Sequence, residues 1–285
     1  MQQPIIKDNF ETLVELTRSH KSLIRFGDGE YELISGLFGN SRKGISFQQY
    51  EKSLARELLE ILQSREQDLL IGINREYFYG ILENEKTLYR KEVKEWVERF
   101  IADNSSFYEK TLISNKEYVA TGISQVYPTY EVYEFERHFD LWKEIFKNND
   151  VVMVCGDKVF NKVTYNILDV SKSIQYVYGP TKHAYSAIRQ LKLHLQQLAK
   201  DKLLVFALGP AGKVLAYQMF QMGFRVLDIG HTIKDYDWYK KGIPMHWDKI
   251  AEFFGPDDNT KKKSQLIKEK IRKIISSLGF LRILG

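Results

Sequence analysis

Short apolar runs rich in β-branched residues alternate along the chain with longer segments whose apolar positions recur at helical spacing. The short runs predict buried strands and the longer segments predict amphipathic helices. Parallel strands need crossover helices, so the alternation predicts an α/β fold with a mostly parallel sheet and helices on both faces. The predicted strands cover residues 22–26, 68–73, 151–155, 174–178, 203–208 and 225–229. The predicted helices cover residues 10–18, 50–64, 91–103, 130–147, 184–200 and 211–222.

Two parts of the chain depart from this alternation. The sequence of residues 104–128 predicts irregular structure with at most one short strand. Residues 255–260, Gly-Pro-Asp-Asp-Asn-Thr, have the composition of a turn-rich linker. We therefore expect one large domain over residues 1–255, followed by a linker and a C-terminal helix over residues 256–285.

The C-terminal segment predicts a basic amphipathic helix. Its apolar residues share one stripe, and lysine and arginine surround that stripe. Such a helix can lie on an anionic membrane as a peripheral contact, or pack on its own domain or on a second subunit of a homo-oligomer. We expect packing, because it is the commoner use of an apolar stripe. The stripe consists of Ile267, Ile271, Ile274, Ile275 and Leu278.

Composition and charge narrow the class of protein. Of the 285 residues, 44% are hydrophobic and 28% charged, which is typical of a globular protein. The net charge of +5 comes from the tail, because from Thr260 onward eight basic residues stand against one acid, Glu269. The rest of the chain is slightly acidic, so a nucleic-acid partner is not expected. The longest apolar runs are too short to cross a bilayer. Cys155 is the only cysteine, and its place in an apolar run predicts an inert buried thiol. Residues 1–8 lack the pattern of an export signal, so we expect a cytoplasmic location.

The first long predicted strand ends in Arg25-Phe26-Gly27-Asp28-Gly29-Glu30. Ligands of open α/β sheets bind beyond the carboxyl ends of the strands, so this turn lies where a site is expected. Asp28 and Glu30 supply two hard oxygen ligands that suit Mg²⁺ or Mn²⁺. Alternatively, Asp28 caps a helix that begins near Gly29, and Glu30 favours the positive end of that helix. The spacing alone favours capping.

Two further strand ends carry candidate phosphate contacts. Gly209-Pro210-Ala211-Gly212-Lys213 follows a buried strand and opens a helix, so its N–H groups could cradle a diphosphate. The alternative is a tight turn in which Gly212 only permits close packing. After another strand, Lys182 could pair with phosphate or simply face water.

The last predicted strand is followed by candidates for a general base. His231 stands just after it, and Asp235 and Asp237 follow with aromatic residues between them. The two carboxylates are favoured over the histidine, because the aromatic residues could stack on a substrate and bring its hydroxyl to a carboxylate. The alternative is a solvated acidic loop whose aromatic residues pack inward.

The Arg25–Glu30 hexapeptide, after a strand and before a helix, resembles the signature of the bacterial GT-D-type glycosyltransferases. The likeness continues in the same order at residues 207–210, 214–217, 228–231 and 235–238. It implies a Rossmann-like fold of GT-D type, with Asp28 and Glu30 holding Mn²⁺ or Mg²⁺. It also implies a UDP-sugar donor, from which a hexose, glucose in the first instance, passes to a glycan or glycoprotein acceptor.

With this resemblance, the nucleotide contacts are expected from Arg25, Phe26, Gly27, Gly156 and Asp157, together with Lys182, Gly209, Pro210 and Gly212. The sequence differs from the family pattern in two places. One is Cys155-Gly156-Asp157 with the residues after it, and the other is Ser124-Gln125-Val126-Tyr127-Pro128. Two other functions therefore stay open: a noncatalytic partner of another glycosyltransferase, and a different Rossmann-type nucleotide-dependent enzyme.

Overall fold

The computed structural model describes residues 4–39, 44–157 and 159–254 of the chain. It separates two compact units, Met1–Met245 and His246–Gly285. The predicted linker and basic helix over residues 256–285 lie outside the described residues, so they and the boundary after residue 255 stay predictions.

Among the described residues, eight strands form one sheet in which every pairing is parallel. All six predicted strands are confirmed. The two additional strands are very short, and the second of them is the one short strand that the prediction for residues 104–128 allowed. The strands are β1 (Ile5–Ile6), β2 (Ser22–Arg25), β3 (Leu69–Ile73), β4 (Glu117–Ala120), β5 (Asp150–Gly156), β6 (Ser173–Gly179), β7 (Leu203–Ala207) and β8 (Arg225–Asp228).

Helices connect the strands. The predicted helices are present, although residues 184–200 divide into a 3₁₀ turn and a shorter α-helix. The acidic-aromatic segment after β8 is a helix rather than a loop. The helices are α1 (Asn9–Arg18), α2 (Asp28–Ser35), α3 (Lys52–Leu62), α4 (Glu76–Tyr79), α5 (Lys91–Thr111), α6 (Val126–Thr129), α7 (Phe135–Phe146), α8 (Ile188–Leu195), α9 (Gly209–Gln221), α10 (Thr232–Lys241) and α11 (Trp247–Phe254).

Both faces of the sheet are covered, which explains why its central strands are mostly apolar. Side chains of a strand alternate between the two faces. In β5, Val152 and Val154 belong to the core shared with α3 and α9, while Val151 and Cys155 belong to the core shared with α1 and α7. Burial raises the pKa of the Cys155 thiol to about 12, as expected of an inert thiol.

The strand order is β1-β4-β3-β2-β8-β7-β5-β6. From β2 the chain builds outward through β3 and β4, then crosses to the other half and returns to β8 beside β2. The order therefore reverses between β2 and β8, the position at which open α/β sheets form a ligand crevice.

Candidate active site

The carboxyl ends of β2 and β8 bring two distant motifs together. Leu23 of β2 pairs with Leu227 of β8, so Arg25 and Asp228 leave the sheet side by side although 203 residues separate them in the chain. This is the switch point of the sheet, and the residues around it form the candidate active site.

Arg25 is buried, and protein groups bind its guanidinium. Nε donates to the main-chain oxygen of Asp228 at 2.7 Å, and Nη2 lies 3.4 Å from Asp228 Oδ1. Nη1 donates to the main-chain oxygen of Thr121 at 3.0 Å and to the Ser124 hydroxyl. Arg25 thus joins β2, β8 and the turn after β4. The side chain therefore braces the frame of the site, and its expected contact with the nucleotide stays a prediction.

Lys213 of α9 places a second buried cation beside Arg25. Its Nζ lies 3.2 Å from Glu30 Oε1 and 3.2 Å from Asp228 Oδ2. Burial alone would lower the pKa of Lys213, but the charges of Asp228 and Glu30 outweigh it and raise that pKa. Burial would likewise raise the pKa of Asp228, but Lys213 and Arg25 lower it. Four charges, two of each sign, therefore lie in contact under the sheet edge.

Gly230 is the residue that lets Arg25 reach across the edge. It has a φ of +48°, and a Cβ there would overlap Arg25 Nη2. Side chains other than glycine disfavour this φ, so both the conformation and the close approach require glycine.

The two carboxylates of the Asp-Gly-Glu turn have different surroundings. Glu30 is buried, accepts a hydrogen bond from the Gly27 N–H at 2.9 Å, and meets Lys213. Asp28 is the first residue of α2 and is exposed; its carboxylate has no hydrogen-bond or ion-pair partner among the described residues. Gly27, not Asp28, occupies the N-cap position, so the capping interpretation fails for Asp28, while Glu30 does bond back to the cap.

This donor set fits a divalent cation only in part. No group of three or more His, Cys, Asp or Glu side chains in the described ranges is arranged to hold a metal ion. Mg²⁺ and Mn²⁺, however, often bind through one or two carboxylates and take their other ligands from substrate phosphates and water. Asp28 fits that arrangement, with Glu30 as the second carboxylate beside it.

The predicted diphosphate cradle at the start of α9 is closely packed. Gly209 has a φ of +59°, and the Phe47 ring lies so near that an added Cβ would stand 2.8 Å from Cε2. Pro210 has no N–H, and the Gly212 N–H already donates to the Leu208 oxygen at 3.3 Å. A Cβ on Gly212 would stand 3.1 Å from Leu208 Cβ. The geometry therefore favours the close-packing interpretation of this turn.

Of the remaining predicted nucleotide contacts, some lie at the carboxyl edge of the sheet and one lies in the hydrophobic core. Gly156 ends β5, and the exposed Asp157 that follows it accepts a hydrogen bond from Thr181 Oγ1 at 2.6 Å. Lys182 is exposed beside them. Phe26, by contrast, is fully buried against Tyr31 in the core, so its ring does not face the crevice.

Asp235 and Asp237 have structural roles on α10. Both are buried. Asp235 accepts the main-chain N–H groups of Val126 and Tyr127 at 2.8 and 3.0 Å, which fixes the start of α6. Asp237 Oδ1 accepts the main-chain N–H groups of residues 164 and 165, and its Oδ2 lies 2.6 Å from Lys241 Nζ. The geometry therefore argues against both as general bases, because their oxygens already anchor neighbouring loops.

Burial nevertheless disfavours the ionised form of Asp235. It raises the pKa of this carboxyl to about 8, against the two main-chain hydrogen bonds, which lower it. His231 differs from both aspartates: it is exposed and stands immediately before α10, just past the end of β8.

Lys213, Asp228 and Ser124 lie in the motifs described above, but the sequence alone assigned none of them a role in the site. The signal was present: Lys213 interrupts an otherwise apolar helix segment, and Asp228 interrupts an apolar strand. Charged residues are rarely buried unless they are paired. Two such interruptions at the ends of neighbouring strands and helices therefore indicate an ion pair.

The fold and site define a class, α/β proteins with a charged crevice at the switch point of a parallel sheet. Within that class, the model of the family described as "Glycosyltransferase GT-D fold" matches residues 23–253. The chain therefore belongs to the GT-D glycosyltransferase family, as the resemblance implied.

Two curated relatives come from streptococci. "Glycosyltransferase GlyD" of Streptococcus pneumoniae serotype 4 is 28% identical over 241 residues, which make up 83% of this chain and 28% of the relative. "Probable glycosyl transferase Gly" of Streptococcus gordonii is 28% identical over 243 residues, 81% of this chain and 32% of the relative. The chain thus spans about a third or less of either relative.

Solved structures share the fold. One, described as "A New Glycosyltransferase (DUF1792) from Streptococcus sanguinis", is 25% identical with a TM-score of 0.76 and covers 92% of this chain and 98% of its own. Another is described as "The highly conserved domain of unknown function 1792 has a distinct glycosyltransferase fold". It is 24% identical with a TM-score of 0.75 over 92% of this chain and 94% of its own.

The helices were also compared with the requirements of a membrane span. Within the part of the chain that the structure describes, none combines the length and the apolar character needed to cross a bilayer.

Proposed function

We propose that the chain is a metal-dependent glycosyltransferase that moves a hexose from a UDP-sugar to a bacterial glycan acceptor, either a glycoprotein or a surface polysaccharide. The observation that carries the proposal is the exposed Asp28 carboxylate at the switch point of a GT-D fold. A carboxylate without a partner at a ligand crevice is a ready ligand for a cation. The curated relatives, both named as glycosyltransferases, support the reaction class.

Asp28 and Glu30 would hold Mn²⁺ or Mg²⁺ in this reaction. When bound, such an ion neutralises negative charge that develops on the departing diphosphate. The chain contributes position: Lys213 and the Gly27 N–H hold both oxygens of Glu30, so this carboxylate keeps one orientation next to Asp28.

In the transfer, an acceptor hydroxyl oxygen forms a bond to the anomeric carbon. The bond from that carbon to the UDP oxygen breaks, and its electron pair leaves with UDP. The hydroxyl proton must pass to a base. His231 is the candidate we retain, because it is exposed beside the end of β8 and because its pKa, lowered to about 3 by desolvation and by Lys234, keeps the ring neutral and able to accept a proton.

The test compares Asp28→Asn with Glu32→Gln. Glu32 is an exposed carboxylate on the same helix, so it controls for a change of charge on α2. UDP release from UDP-glucose is followed during a Mn²⁺ titration, and Mn²⁺ binding is measured separately by electron paramagnetic resonance. We expect Asp28→Asn to lose Mn²⁺ binding and at least about a hundredfold in turnover, within the range that positioned catalytic groups contribute. Glu32→Gln should match the wild type.

Wild-type Mn²⁺ dependence and turnover in Asp28→Asn would refute the assignment of the site. A wild-type chain that binds UDP-glucose but releases no UDP, with or without acceptor glycans, would favour the noncatalytic partner.

A further inference from the structure

Asn74 is a buried polar residue next to the candidate active site that the proposed reaction does not use. It directly follows β3, the strand beside β2. Its side chain is 8% exposed, and its Oδ1 atom is buried without a hydrogen-bond partner among the described residues. Most buried polar atoms in proteins are paired, so an unpaired acceptor here calls for a reason.

The strand ladder fixes where Asn74 lies. Arg25 of β2 pairs with Gly72 of β3, and Ala120 of β4 pairs with Ile73. Asn74 therefore leaves the sheet level with Gly27, the residue before the Asp-Gly-Glu turn.

The alternation of the strand gives the face of the sheet. A Cβ on Gly72 would stand 3.0 Å from Arg25 Cγ, so position 72 faces the Arg25 side chain. Side chains two residues apart share a face, which puts Asn74 on the Arg25 face and one step closer to the crevice.

The chemistry of the amide limits what can satisfy it. A carbonyl-type oxygen accepts hydrogen bonds, and an ionised phosphate offers no N–H or O–H donor. Among the groups of a bound nucleotide-sugar, only a neutral N–H or O–H can therefore donate to this oxygen. In a nucleotide-sugar, these groups are the imide of the base and the hydroxyls of the ribose and the hexose.

We propose that Asn74 binds the nucleotide-sugar donor through a neutral N–H or O–H group of its nucleoside or hexose. The inference rests on the proposed function, because it takes the donor to be a UDP-sugar. Without the donor, the described residues leave this acceptor unpaired, and the bound donor would satisfy it, so stability and affinity should respond in opposite ways to its removal.

The experiment uses the full chain with Asn74→Leu and Asn74→Ala. Its control is Asn9→Leu, since Asn9 is also 8% exposed but its Nδ2 donates to the Tyr130 hydroxyl at 3.2 Å. Isothermal titration measures the affinity for UDP-glucose, UDP and inorganic diphosphate, all with Mn²⁺. Thermal unfolding without ligand gives the Tm of each variant.

We expect the position 74 variants to bind UDP-glucose about tenfold more weakly, the effect of one hydrogen bond, with a Tm equal to or above that of the wild type. Diphosphate affinity should not change. Asn9→Leu should show the reverse, a lower Tm with unchanged affinities. A loss seen with UDP as well assigns the contact to the nucleoside, and a loss confined to UDP-glucose assigns it to the hexose.

Affinities for UDP-glucose within twofold of the wild type in both position 74 variants would overturn the inference, as would an equal loss for diphosphate. If the wild type binds neither UDP nor UDP-glucose, the proposed function fails and this inference fails with it. If the wild type binds both and the variants bind equally well, only the role of Asn74 fails.

Discussion

Replacing Lys213 by methionine tests whether the buried charges at the switch point act as one unit. Methionine has nearly the volume of lysine but no charge, so Lys213→Met keeps the packing of α9 and removes only the ammonium group. Glu30 and Asp228 would then lose the cation that lies 3.2 Å from each of them.

The cost follows from burial. Lys213, Glu30 and Asp228 are only 7%, 6% and 2% exposed, so water cannot replace the lost partner. Removing one member of a buried ion pair typically costs about 3 to 5 kcal/mol, because the remaining charge is left uncompensated. For a domain of this size, that corresponds to a fall in Tm of roughly 6 to 20 °C.

Calorimetry and urea unfolding would measure this loss. Lys147→Met is the matched control, since the Lys147–Glu144 pair is exposed on both sides and should contribute about 0 to 1 kcal/mol. The double variant Lys213→Met/Glu30→Gln adds a second test. Removing the Glu30 charge, which Lys213→Met leaves without its cation, should restore part of the stability, and a double-mutant cycle reads this as coupling between positions 213 and 30.

Two results would refute this reasoning. One is a free energy of unfolding for Lys213→Met within about 1 kcal/mol of the wild type, the size of an exposed pair. The other is full additivity of the two substitutions, since it would mean that Lys213 and Glu30 do not sense one another.

Two other predictions concern α10 and its start. The pKa of Asp235 is raised to about 8, so folding favours its protonated carboxyl, and its contribution to stability is present below pH 4 and lost as the pH rises toward 8. Urea unfolding at pH 5, 7 and 9 should show this decline in the wild type and a flatter one in Asp235→Asn. An equally steep decline in the variant would contradict the raised pKa. His231→Ala should lower kcat by about 10²- to 10⁴-fold while the affinity for UDP-glucose stays within a few-fold; a loss of affinity with kcat preserved would make His231 a donor contact rather than the base.

The sheet could be predicted from sequence because its strands are buried on both faces. A continuous apolar run such as residues 203–207 has few alternatives to a central strand once helices flank it. The two other strands, one not predicted and one allowed within residues 104–128 without a position, lack this signal. Ile5–Ile6 has two residues, and Glu117–Ala120 begins with an exposed glutamate, so neither presents a run long enough to stand out.

Site roles were harder to predict, because they depend on which side chains meet across more than a hundred residues. The sequence shows that Asp235 and Asp237 follow a strand, but not that each one finds main-chain N–H donors on another loop. Arg25 illustrates the same limit. Its position at the end of β2 indicates a ligand contact. Its guanidinium, however, donates hydrogen bonds to Thr121 and Asp228, which only the order of the strands brings close to it.

The buried charges also explain why Asp28 matters. Arg25 and Lys213 carry two positive charges, and Glu30 and Asp228 carry two negative ones, so this quartet is neutral and its cations are already paired. The exposed Asp28 carboxylate at the end of β2 is therefore a negative charge that this quartet does not compensate. A diphosphate would be repelled by that charge unless a cation lies between the two groups. The neutrality of the quartet is thus the physical argument for a divalent ion that binds Asp28 before, or together with, the donor.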